Sequence, residues 1–450
     1  MGVYNGGDSQ RPGVHFGGDA RNLFLSYGVA PPGRRYDILY RMDSLRHRVL
    51  HLHQMAGRWR QIVSPKEIFM TNTDSNPNAI TDMHFHVGVL GDEDPNMGKL
   101  TAEFRQRIEY KVFLLYAGLK EDDVSDHKLW EAAKETIESC NLNHVVCLAL
   151  DPVYDHSGNR REEKSLMWVA NDYVIKLRDE IGDKVLLGAS VHPYDPNFEA
   201  RVNDLVAKDA ALIKWLPSAQ QIDLADEKVR DALVFLASAR SGDPLPVLLH
   251  VGPEYAIPSS DPRTTSYDFL SWTVWDKIGN VFRGANKWHT PQLEKIHTNL
   301  REGLDEGAII IFAHCGLPYY APHWLRRILE HSDFKSVRRY IEEYPARGTE
   351  ARRCYTDLSA CVTPFRRSYY PDIGELPPDS LLFGSDFPTP VFELSADVGE
   401  LMDDLKAVFK GNLERIVVPQ GNLLDVNLRE LRHFFPEHPL FTNFNRLRNI

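Results

Sequence analysis

The chain lacks what several function classes need. No apolar run approaches the ~18 residues of a membrane span, so a spanning protein is not expected. Basic residues are not in excess: 52 Lys and Arg face 63 Asp and Glu, a net charge of −11. That argues against a nucleic-acid partner, which needs a basic footprint, and against an anionic membrane surface. Cysteine is sparse and odd in number, at five, and no Cys-x-x-Cys occurs. A disulfide framework is therefore not expected; free thiols in a reducing, cytoplasmic setting are. The N-terminus has no basic-then-apolar leader pattern.

At 450 residues the chain can hold one large domain with extensions. Residues 1–77 read as a Gly- and Pro-rich arm followed by a helical extension, in which Ile38, Leu39, Met42, Leu45 and Val49 recur at near-helical spacing. Residues 78–430 read as the main domain and 431–450 as a tail. From residue 78 a strand–helix rhythm sets in. Candidate strands are Ala79–Met83, His144–Leu150, Val185–Val191, Ala211–Leu216, Pro246–Val251, Ala308–Ala313, Cys354–Leu358 and Leu381–Gly384. Helical patterns lie between them, at Leu129–Ser139, Leu166–Ile181, Asn197–Val206, Glu227–Ala239 and Pro291–Glu306, and another follows at Asp397–Lys410. Several strands are continuous apolar runs, as buried parallel strands are. Eight such units predict an α/β fold, a (β/α)8 TIM barrel. The competitor is a doubly wound open sheet, which gathers its ligands at one switch point. Only a closed barrel brings the polar ends of five or more strands to one mouth.

Those polar ends carry the chemistry. Asp82-Met83-His84-Phe85-His86 places two imidazoles at i and i+2 on one side of a strand, as a divalent metal requires. Later strands end in Lys214, His250, His314 and Asp386. Each alone has a plain reading: a hydrogen-bonded structural histidine, or a turn-capping aspartate. Together they read as a metal site. His192 and Asp357 end two further strands and are expected to line the pocket or hold ligands. A long, aromatic-rich insertion, about residues 252–290, follows the fifth strand. Its Tyr255, Trp272 and Trp275 are expected to form a substrate rim, with a subunit interface as the other reading.

On Asp82–His86, Ser190-Val191-His192-Pro193, Leu212–Pro217, Leu245–Gly252, Ala313–Gly316 and Phe383–Pro388, the chain resembles the amidohydrolase superfamily. The likeness is to its amidohydrolase 2 branch, which includes nonoxidative decarboxylases related to aminocarboxymuconate semialdehyde decarboxylase. The resemblance implies His84, His86 and His250 as metal ligands and Asp386 as ligand and proton acceptor. It implies His314 as an orienting group or a ligand to a second ion. Lys214 would bridge two ions as a carbamate, or bind substrate unmodified. The cofactor implied is a divalent metal, Zn²⁺ favoured, with Mn²⁺ or Fe²⁺ as alternatives. One ion is expected, or two if Lys214 is carbamylated. The expected activity is that of a hydrolase in which metal-activated hydroxide cleaves a C–N or C–O bond of a small molecule: an amide, lactam, lactone or ester. The alternatives are a decarboxylase or hydratase on the same barrel, and a non-catalytic barrel with a structural metal. A homodimer or higher homo-oligomer is the expected assembly.

Overall fold

The structure is a computed structural model. It describes residues 78–254, 256–272, 292–318, 331–346, 351–389 and 418–448. The arm and helical extension read over residues 1–77, the helix at Asp397–Lys410, and Tyr255 and Trp275 fall outside them.

Eight parallel strands form one sheet. In order around it they are β1 (Thr81–His86), β3 (His144–Leu148), β5 (Val185–Ala189), β6 (Ala210–Trp215), β7 (Val247–Leu249), β8 (Ile310–Phe312), β9 (Cys354–Asp357) and β10 (Leu381–Leu382). The sheet closes on itself. The amides of Met83 and His86 donate to the carbonyls of Phe383 and Phe387, both at 3.0 Å, and Phe85 pairs in parallel with Phe387. The chain is therefore a (β/α)8 barrel. Each predicted strand is present; most are shorter by one to three residues, while β1 is shifted toward its C-terminal end and β6 by one residue toward its N-terminal end. Helices Asp126–Ser139, Asn171–Ile181, Phe198–Ala207, Glu227–Leu236 and Leu293–Asp305 lie between strands, as does Phe334–Glu343, which the sequence pattern did not single out.

The helix expected over Leu166–Ile181 is shorter. Its first part is a strand, β4 (Met167–Val169), paired antiparallel with β2 (Gly98–Leu100). Trp168 and Val169 are fully buried in that ribbon, and both suit a pleated, buried surface. Tertiary pairing thus overrides the helical spacing of the segment.

Inside the barrel, Met83, Val146, Leu148, Leu212, Leu248, Ile311, Tyr355 and Leu382 form an apolar plug with Phe444. Phe444 belongs to the short helix Asn443–Arg448, so residues set apart as a tail are part of the barrel. The Leu440 carbonyl accepts from the Phe383 amide at 3.1 Å. Asn445 bonds the Thr81 hydroxyl and the Ala79 carbonyl. The apolar floor leaves the polar strand ends gathered at the other, C-terminal mouth.

Phe444 has no exposed surface. Phe444→Ala is expected to lower unfolding free energy by about 3–5 kcal/mol, measured by urea denaturation. A loss under about 0.5 kcal/mol would remove this helix from the core.

Candidate metal centre

Side chains alternate across a strand, and in most strands that alternation alone carries the polar residue inward. Leu212 leads to Lys214, Leu248 to His250, and Tyr355 to Asp357. Two histidines break the rule and have local devices to do so. In β1 the pairing with β3 steps from Asp82 opposite Val145 to Phe85 opposite Cys147. The extra residue is a β-bulge. It lets Met83 point into the floor while His84 still faces the mouth. After β8, Ile311 and Ala313 are the inward residues, so His314 would face outward. His314 and Cys315 instead adopt left-handed backbone, with φ of 55° and 54°, which turns the imidazole back into the site. Such strain at non-glycine residues costs of order 1–3 kcal/mol each.

Asp386 reaches the site in the same way, with φ of 60° and its amide donating to the His84 carbonyl at 2.8 Å. Gly384 permits this approach. A Cβ there would sit 2.8 Å from the His84 Cβ and 3.1 Å from that of Ser359.

The donor atoms converge. His84 Nε2 lies 3.1 Å from His86 Nε2. Asp386 Oδ1 lies 3.4 Å from the first and 3.2 Å from the second. Ligands about 2.0–2.1 Å from a tetrahedral ion are spaced roughly 3.3 Å apart, so these three atoms form one face of such a site. His314 Nε2 is 4.0 Å from Asp386 Oδ2. The His250 ring lies 5.3 Å from that of His314, centroid to centroid. Lys214, fully buried, brings Nζ to 3.2 Å from His84 Nε2.

Proton accounting at Ser359 assigns the tautomers. Its hydroxyl donates to Asp357 Oδ1 at 2.5 Å. It also lies 3.0 Å from His84 Nδ1 and 2.7 Å from His314 Nδ1. One hydroxyl has one proton, so both ring nitrogens must donate. Asp357 Oδ2, 2.8 Å from His84 Nδ1, and the Ser359 carbonyl, 3.1 Å from His314 Nδ1, accept as well. With Nδ1 protonated, both Nε2 atoms carry lone pairs into the mouth. His250 Nε2 is buried and has no hydrogen-bond partner among the described residues. Crowded lone pairs repel unless a cation lies between them.

Electrostatics agree. Burial lowers the pKa of His84 and His314 to about 4, and it depresses those of His86 and His250. Neutral imidazoles are what a metal binds. Burial also lowers Lys214. Burial would raise Asp357 and Asp386. Their imidazole neighbours outweigh it and hold both carboxylates well below the usual range. His86 and Asp386 keep 20% and 13% of their side-chain surface exposed, against none for His84. Access to the cluster therefore lies on their side.

Sequence reasoning missed two residues here. Ser359, two after Asp357, bonds both imidazoles. Glu254, four after His250, is a buried carboxyl 3.1 Å from His250 Nδ1, and burial lifts its pKa to about 7. An acid at that short offset was the available signal. Two expected pocket residues sit elsewhere. Both ring nitrogens of His192 are taken by backbone: Nε2 donates to the Gln220 carbonyl at 2.9 Å, and Nδ1 accepts from the Tyr194 amide at 3.1 Å. The ring braces the loops after β5 and β6 rather than a ligand. Trp272 lines a groove of about 430 Å³ with Leu293, His297 and Arg339, residues of two outer helices. None of them is a proposed ligand, so Trp272 is not placed as a substrate rim.

Fold and cluster define a (β/α)8 barrel with a histidine–carboxylate centre at its C-terminal mouth, suited to a divalent ion. No known family model matches the sequence, and no curated protein does. Among solved structures it is similar to the apo form of IDCase from Metarhizium anisopliae. That likeness is 14% identical, covers 83% of this chain and 99% of that one, and has a TM-score of 0.44. It is also similar to a probable 2-pyrone-4,6-dicarboxylic acid hydrolase from Acinetobacter baumannii, at 12% identity, 77% and 98% coverage and a TM-score of 0.38. An amidohydrolase 2 from Bifidobacterium longum subsp. infantis gives 15%, 83% and 99%, and 0.38. No described helix is long and apolar enough to cross a membrane.

Two outcomes are expected. The His84→Ala/His86→Ala protein, folded by circular dichroism, should lose the bound metal found in the parent by elemental analysis. Undiminished metal would sink the ligand assignment. The second concerns pH. His84 and His314 have folded pKa values near 4, below the ordinary 6.5. Between those values the unfolded chain binds more protons, so stability rises with pH across the window. Metal-stripped protein should therefore lose stability as pH falls from about 6.5 to about 4, and His314→Asn should flatten that slope. Parallel slopes would show that His314 is not buried as a neutral ring.

Proposed function

We propose that this chain is an amidohydrolase-type enzyme, a metal-dependent hydrolase that cleaves a C–N or C–O bond of a small molecule such as an amide, lactam, lactone or ester. The observation that carries the proposal is the convergence of imidazole Nε2 lone pairs on an ionised, partly exposed carboxylate at a barrel mouth. A structural ion would be sealed by its ligands; here His86 and Asp386 keep part of their side-chain surface open to solvent. Zn²⁺ suits the nitrogen-rich set, and Mn²⁺ and Fe²⁺ share the preference for imidazole and carboxylate.

His84, His86, His250 and Asp386 would hold the ion. When bound there, it supplies a Lewis acid that polarises a carbonyl and acidifies water toward neutral pH. The chain's own residues do the rest. Asp386 Oδ2 accepts a hydrogen bond from Thr389 Oγ1 at 2.6 Å, which fixes the carboxylate while leaving Oδ1 toward the imidazoles. Ionised at neutral pH, it can accept the proton of the attacking water and return it to the leaving nitrogen or oxygen. His314 presents its Nε2 lone pair beside Asp386, and can accept a hydrogen bond or proton from the water or from substrate. Lys214, at the back of the cluster, would either meet a substrate oxygen or, as a carbamate, hold a second ion. The ordering of these groups before substrate arrives is itself a source of rate.

Metal-loaded protein should hydrolyse members of an amide, lactam, lactone and ester panel, with the acid product followed by mass spectrometry. His314→Asn should lower the rate by roughly 10²-fold or more with one ion retained. Unchanged turnover would exclude His314 from the chemistry. Carbon dioxide release from carboxylated aromatics, with no hydrolysis in the panel, would replace this reading with decarboxylation.

A further inference from the structure

Glu254 has a placement that the ligand set does not account for. It follows His250 by four residues, across Val251-Gly252-Pro253. Its Oε2 lies 3.1 Å from His250 Nδ1. Its other oxygen, Oε1, accepts from the backbone amides of Ala256 at 2.5 Å and Ile257 at 2.8 Å. Gripped on one side by two amides, the carboxyl cannot swing away from the ring. On the far edge of that ring, Nε2 is buried and has no hydrogen-bond partner among the described residues. A carboxyl beside Nδ1 holds the ring proton there, since it offers an acceptor and the opposite edge offers none. The lone pair then falls on Nε2, and an unpaired buried acceptor is unfavourable unless something electropositive meets it. Asp357 does the same for His84, at 2.8 Å, from a different strand.

We propose that Glu254 is the positioning residue for His250, fixing its proton on Nδ1 so that Nε2 is presented to a divalent cation. This rests on the reading of His84, His86, His250 and Asp386 as a metal site. A carboxylate in this outer position orients its imidazole and raises its basicity, and its loss commonly weakens metal affinity by about 10–100-fold. Glu254 does not itself ligate, because its oxygen serves the ring edge opposite the ligating nitrogen.

The test uses the full-length protein, stripped with chelator and titrated with Zn²⁺ against a competing indicator. Glu254→Leu, which removes the acceptor, should weaken Zn²⁺ binding about 10–100-fold. Glu254→Gln keeps an acceptor oxygen and should recover most of that loss. A merely structural glutamate would not show this ordering. Equal affinity of folded Glu254→Leu and the parent would overturn the proposal. A second readout needs no variant to fold. Nitrogen-15 spectra of the histidines in metal-free parent protein should show His250 protonated on Nδ1. A proton on Nε2 would overturn the proposal. Failure of the parent to bind Zn²⁺, Mn²⁺ or Fe²⁺ would instead reject the metal reading, and the tautomer would still decide the role of Glu254.

Discussion

The site depends on one buried carboxylate. Asp357 has no exposed surface. It accepts from His84 Nδ1, the His314 amide at 2.8 Å, and the Ser359 amide and hydroxyl. A buried ion is tolerated only when its lone pairs are satisfied, and these four bonds satisfy them. In return the carboxylate sets the tautomer of His84. It also pins the left-handed turn that carries His314 inward. The ends of β8 and β9 and the strand β1 are tied by it to one geometry, and the bulge in β1 lets His84 take part.

The barrel makes this economical. A closed sheet lets an apolar floor and a polar mouth share one interior, because residues two apart on a strand occupy successive layers of it. Leu212 and Lys214, Leu248 and His250, and Tyr355 and Asp357 are such pairs. The strands thus supply both stability and chemistry, and the helix carrying Phe444 seals the floor against water. The departures from regularity that shape the site lie at its mouth: the β1 bulge and the left-handed residues His314, Cys315 and Asp386. They place side chains where alternation would not. Local strain concentrated at a site, and compensated by a firm scaffold, is the expected pattern.

Much of the fold was legible because buried parallel strands are written as unbroken apolar runs. Val145–Leu150 and Ile309–Ala313 announce themselves. The strand-end residues His84, His86, Lys214, His250, His314 and Asp386 were legible for the same reason, since each closes or closely follows such a run. What was hidden depends on pairing between distant segments. Met167–Val169 is a strand only because Gly98–Leu100 lies beside it. His314 faces inward only through a backbone turn that no periodicity encodes. Ser359 and Glu254 are ordinary residues in loops until the ring places them against imidazoles. His192 resembled a pocket residue by its strand-end position, yet backbone groups claim both its nitrogens. Trp272, named for its aromatic neighbourhood, belongs to the outer layer.

The central claim is that the converging lone pairs exist to hold a divalent cation at the barrel mouth. Crystals of the full-length protein grown with its native metal, with anomalous data collected above and below the metal's absorption edge, test it most directly. The account predicts an anomalous peak about 2.0–2.2 Å from Nε2 of His84, His86 and His250 and from a carboxylate oxygen of Asp386. Within that same map Asp357 should remain bonded to His84 Nδ1. An ordered mouth with these four side chains in place and no peak between them, or a peak bound elsewhere on the chain, would contradict it.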